Sequence, residues 1–305
     1  MAKLKRIMVG LDFTEVDKTA IKYTEFICKM LNPEKIYFIH FQQNLDIPDE
    51  VKQEIYDNSQ PFDEILRDEM IAEVKINFPS YEDFEIEYQV VEGSRLGQAL
   101  HWTKIKEVDL FILGRKKEKI SGVFLTRFTR RSRCSVLIVP QKAELNLENI
   151  LLCNDYSKNS ELAFERILNM ANLVPGVTIY SQHIYAVPTG YHKSGKSFDT
   201  IAGIMKNHSK KRHGEFLEKF PDIKAQIIPI YTLDKHEQPA KLINKTAESL
   251  QANLIVLGAK GMSYTSSLFL GSFAERLIRL QTDAPVLIVK SKDQVFGVFE
   301  AIKNL

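Results

Sequence analysis

The chain has 305 residues, 44% of them hydrophobic and 26% charged, with a formal net charge of +2. That is ordinary globular composition at a length that suits two domains. It contains no apolar run near the roughly 18–20 residues of a membrane span, so no membrane partner is expected. The charge argues neither for nor against nucleic acid.

The N-terminus, "MAKLKRIMVGLDF", places basic residues before an apolar run, but Asp12 ends that run too early for a signal peptide. It reads as a first strand in a cytoplasmic protein. Thr14 and Asp17 suit a helix start, and Ala20, Tyr23, Ile27 and Met30 follow at helical spacing. Next come "KIYFIHF", "DLFILG" and "SVLIV", rich in branched and aromatic residues and poorly alternating. Strands buried on both faces of a parallel sheet read this way. From residue 149 the order begins again: "NILLC", a helix carrying Ala163, Ile167 and Ala171 after Ser157 and Asn159, then "NLIVLG" and "APVLIVK".

These are two copies of one unit. "RIMVGLDFT" and "NILLCNDYS" both end in Asp, an aromatic and a hydroxyl residue, and Asp12 and Asp155 differ by 143 positions. His40 and His183, near the ends of the second strands, differ by the same 143. The boundary falls near 141–148, giving domains 1–142 and 143–305. Alternating strand and helix predicts an α/β fold with two tandem, doubly wound, mainly parallel five-stranded sheets and helices on both faces. Ligands of such sheets bind beyond the carboxyl ends of the strands, where the strand order reverses.

In the second copy, "VLGAKGMSYTSSLFLGSF" places Gly258, Gly261 and Gly271-Ser272 between a strand and a helix. Glycine lets backbone turn sharply or approach a ligand, and a helix start attracts anions through its free N–H groups and dipole. Lys260 adds charge, and a triphosphate suits this better than a neutral ligand. A plainer reading stands beside it: Gly258 closes a strand, Gly261 turns the chain, and Ser272 caps a helix.

This spacing of glycines, with the first-strand Asp, the His-hydrophobic end of the second strand and the closing "APVLIVK", resembles the universal stress protein family and its ATP-binding signature. The resemblance spans nearly the whole chain, as a tandem two-domain member. It implies an adenine-nucleotide α-hydrolase-like fold, with the two domains packed as an internal pseudo-dimer through "SVLIV" and "PVLIV". It also implies ATP, with Mg, in the C-terminal domain, which would act as a nucleotide-dependent stress sensor or regulator. Asp155 would lie near the nucleoside, and Ile184 would offer backbone to adenine. Leu257 and Gly258 would line the site, and Gly261, Gly271, Ser272 and Phe273 would cradle phosphate. The expected partners are ATP and either a second copy of the chain or a regulatory protein.

The first copy departs from the pattern. Lys117 stands where the second glycine belongs, and the segment Gly114–Val139 is six residues shorter than Gly258–Val289. No ATP is expected there. Its basic run, from Arg115 to Arg133, reads as a solvated surface, with a surface for an anion or acidic partner as the sharper alternative. Residues 190–197, "GYHKSGKS", match the phosphate-loop pattern G-x-x-x-x-G-K-S, but they follow the second strand of a unit already assigned. They read as a surface loop over the mouth of the ATP site, with Lys193 or Lys196 near phosphate. The histidines and cysteines show no metal pattern, and Cys28, Cys134 and Cys153 read as buried structural thiols. No nucleophile is visibly paired with a base, so a slow ATPase is the most these residues support. The rivals are an interaction scaffold without nucleotide and an NTPase using residues 190–197.

Overall fold

A computed structural model describes residues 4–48, 50–51, 54, 60–116, 121–236, 238–260, 270–280 and 282–291. The chain divides into two compact units, Met1–Leu145 and Asn146–Leu305. Unit 1 runs β1 (Arg6–Leu11), α1 (Glu15–Leu31), β2 (Lys35–Gln42), α2 (Phe62–Asn77), β3 (Ile86–Glu92), α3 (Arg95–Ile105), β4 (Leu110–Arg115), α4 (Ser121–Arg131) and β5 (Ser135–Pro140). Its strands are all parallel, in the order β3-β2-β1-β4-β5.

Unit 2 repeats the plan. It runs β6 (Asn149–Cys153), α5 (Lys158–Ala171), β7 (Thr178–Tyr185), α6 (Phe198–Leu217), β8 (Gln226–Leu233), α7 (Pro239–Ser249), β9 (Leu254–Gly258), α8 (Ser272–Arg279) and β10 (Val286–Val289). Its strand order is β8-β7-β6-β9-β10, again parallel. In both units the first strand is central and the chain winds outward on each side of it, as the alternating pattern predicts. The first and fourth strands of each unit are buried almost throughout, while the edge strands β3 and β8 are half-buried. In unit 1, α1 packs with α2 and α3 with α4, covering both faces; in unit 2, α7 packs with α8.

Register places the site. Leu257, Cys153 and Gln182 lie abreast at the carboxyl ends of β9, β6 and β7. The strand order reverses between β6 and β9, the place where such sheets open a crevice.

Candidate functional site

A cleft of about 450 Å3 opens at that reversal, wholly within unit 2. Asp155 follows β6, Ile184 and Tyr185 end β7, and Leu257, Gly258 and Lys260 close β9. The start of α8 brings Gly271, Ser272 and Phe273, while Pro239 and Ile243 of α7 form an apolar wall. Seven of the residues singled out in the sequence, Asp155, Ile184, Leu257, Gly258, Gly271, Ser272 and Phe273, thus meet at one place. The eighth, Gly261, lies outside the described residues, as does Lys117 in unit 1.

Asp155 sits in a tight turn. Its Oδ1 accepts from Ser160 Oγ at 2.6 Å and from the Ser157 amide at 3.0 Å. Ser157 caps α5, its side chain accepting from the Ser160 amide. Tyr156 has φ = 63°, a left-handed conformation that is costly for a bulky residue. Several contacts hold it there. The Tyr156 ring stacks on His183 with centroids 4.5 Å apart, the Arg212 guanidinium lies 4.9 Å from it, and its hydroxyl donates to the Ser209 carbonyl. His183 Nδ1 lies 2.8 Å from the Asn154 carbonyl and donates to it. Burial lowers the His183 pKa, which favours the neutral ring.

Unit 1 builds the same turn. Phe13 has φ = 56°, its ring lies 4.6 Å from His40, and His40 Nδ1 is 2.9 Å from the Leu11 carbonyl. Each histidine therefore braces the strained turn that presents the aspartate.

The glycines divide by role. A Cβ on Gly258 would stand 2.7 Å from the backbone carbon and oxygen of Asn159. Gly258 therefore lets the first turn of α5 press against β9, which is the plainer of its two sequence readings. Gly271 donates its amide to the Ala259 carbonyl at 2.9 Å, so that N–H does not face a ligand. It is the N-cap of α8 and offers no side chain to the first-turn amides of Ser272, Phe273 and Ala274, which have no intrahelical acceptors. Lys260 is half-buried, and desolvation lowers its pKa.

In unit 1 basic side chains engage the equivalent aspartate. Lys116, at the position of Lys260, puts Nζ 2.8 Å from Asp12 Oδ2, and Arg95 lies 3.6 Å from the same oxygen. Burial opposes ionisation of Asp12, but the hydrogen bonds from Lys116 and Thr14 and the Arg95 charge hold it below the usual carboxylate range. Arg115, buried, replaces Ala259.

Sequence reasoning missed several walls of the cleft, among them Gln182, Asp234, Pro239 and Ile243. Gln182 has no local signature, but its place two residues before Ile184 on one strand face was open to inspection. The expected loop over the mouth is not found: no residue of 190–197 lines the cleft. Tyr191–Ser194 form a 3-10 turn between left-handed Gly190 and Gly195, and the Ser197 hydroxyl caps α6 by accepting from the Thr200 amide. Among the described residues no group of three His, Cys, Asp or Glu side chains is placed to hold a metal, and no helix is long and apolar enough to cross a membrane.

Residues 146–290 match the model of the universal stress protein family. No curated protein matches the chain. Solved structures match it nearly end to end. A universal stress protein from Archaeoglobus fulgidus DSM 4304 is 16% identical with a TM-score of 0.63, over 94% of this chain and 97% of its own. A putative universal stress protein from Pseudomonas aeruginosa UCBPP-PA14 is 15% identical with a TM-score of 0.62, over 98% and 97%. A functionally unknown protein from Pseudomonas aeruginosa PAO1 is also 15% identical with a TM-score of 0.62, over 99% and 98%. At such identities the likeness establishes the fold that both units share, while the family match rests on unit 2. Residues 146–290 therefore carry a universal stress protein family domain.

Proposed function

We propose that unit 2 binds one ATP, with magnesium, in the β6–β9 cleft, and that the protein is a nucleotide-dependent regulator or sensor in a stress response. The observation that carries this reading is the convergence of Asp155, Ile184, Leu257 and the start of α8 on one cleft. Ile184, Leu257, Pro239 and Ile243 offer an apolar slot for a base. The α8 N-terminus and Lys260 favour polyphosphate, since first-turn amides and the helix dipole both attract negative charge.

Calorimetric titration of the full chain with ATP and magnesium tests it. We expect about one site per chain. Ser272→Asp places a carboxylate where the helix dipole welcomes it but phosphate is repelled, so folding should persist while affinity falls at least about tenfold. No heat from the wild type, or unchanged affinity in that folded variant, would overturn the proposal.

A further inference from the structure

Gln182 is buried on the cleft wall, only 1% exposed. Its amide nitrogen is fully used: Nε2 donates to Thr232 Oγ1 at 2.8 Å and to Thr246 Oγ1 at 2.9 Å. Its carbonyl oxygen, Oε1, is buried without a hydrogen-bond partner. A buried acceptor left unpaired is costly, and folded proteins rarely keep one unless something else satisfies it.

Thr232 lies on β8 and Thr246 on α7, so the nitrogen branch of the amide is tied to those two elements. The oxygen is on the other branch, and Cys153 and then Leu257 lie abreast of Gln182 in the sheet. Gln182, Cys153 and Leu257 all line the cleft, as does Ile184 on the same face of β7. Both threonine hydroxyls are engaged by the amide nitrogen, which leaves the oxygen as the branch without a partner.

We infer that Gln182 Oε1 is a specificity-determining acceptor for the exocyclic amino group of a 6-aminopurine, and that the cleft rejects 6-oxopurines. The inference rests on the ATP reading above and adds the base edge that is read. An adenine amino group would satisfy the orphan oxygen. The 6-oxo group of hypoxanthine or guanine would set one acceptor against another and leave both unpaired, the kind of mismatch that discriminates far more strongly than a lost methylene.

The experiment is parallel titration of the full chain with ATP and ITP, which differ only at that position and its ring proton. ITP should bind at least about tenfold more weakly. Gln182→Met keeps length and apolar bulk while removing the carbonyl, and should bring the two affinities within about twofold, mainly by weakening ATP. Equal affinities in the wild type, or a preference for ITP, overturn the inference while leaving the ATP reading intact. So does an unchanged ratio in a folded Gln182→Met. Failure of the wild type to bind either nucleotide overturns the ATP reading and this inference with it. The wild-type ratio decides even if the variant does not fold.

Discussion

Positions 17 and 160 occupy the same place in the two repeats and hold the same turn by different chemistry. Ser160 does so with a neutral hydroxyl bonded to Asp155. Asp17 does so with a buried carboxylate that accepts from the amides of Asp12 at 2.8 Å and Thr14 at 3.2 Å. Burial, and then the Asp12 charge, push its pKa up to about 6. An unfolded aspartate titrates near 3.9, so between about pH 4 and 6 the folded state holds the extra proton. Stability from this group is therefore present at low pH and lost as pH rises through 6. Asp17→Asn keeps an acceptor without the charge. Its stability relative to wild type should rise between pH 4.5 and 7, by on the order of 1–3 kcal/mol. Denaturant melts at the two pH values measure this, and a constant difference would show that Asp17 is ionised throughout. Nothing in the residue order "DFTEVD" announces the effect, because it depends on how deeply α1 is buried.

At the scale of elements, the approach of the first helix to the fourth strand is the shared constraint. A Cβ at Gly258 would meet Asn159 backbone at 2.7 Å, whereas one at Gly114 would meet Val16 Cγ1 at 2.6 Å, with Val16 O at 3.6 Å. Backbone has nowhere to yield, so Gly258→Ala must move the first turn of α5. That turn carries Ser160 and with it Asp155. We expect about 1–3 kcal/mol of destabilisation and weaker ATP binding. Gly114→Ala should cost less and leave ATP binding unchanged, since Val16 can partly reorient. Melting and titration of both variants check the contrast, and equal costs would contradict it. The strands themselves were legible because their residues are apolar on both faces. The close helix contact was not, since Gly258 and Asn159 are neighbours only after folding.

Over the whole molecule, the two units share an architecture but hold their equivalent aspartates by different partners. Lys116 and Arg95 engage Asp12, while Asp155 is held by hydroxyl and amide donors beside an open cleft. Asp155→Ala should therefore remove the single ATP site, and Asp12→Ala should leave both stoichiometry and affinity unchanged. In the same titration Lys196→Ala should lower affinity by less than about tenfold, because an exposed lysine outside the cleft supplies at most a screened interaction. Two sites per chain, or loss of binding in the lysine variant, would transfer the function elsewhere.

The residue order alone determined the duplication, the alternation of strand and helix, and the cluster around Gly258 and Gly271-Ser272. Each of these is written in spacings within tens of residues, and the second copy repeats the evidence of the first. Folding alone decided that Gly258 yields to Asn159, that the Gly271 amide is spent on Ala259, and that residues 190–197 stay off the cleft. It also decided that Gln182, a residue of the cleft wall, keeps a buried oxygen without a hydrogen-bond partner. Those outcomes depend on strand register and helix approach, which bring together residues far apart in the chain and leave no local trace in its order.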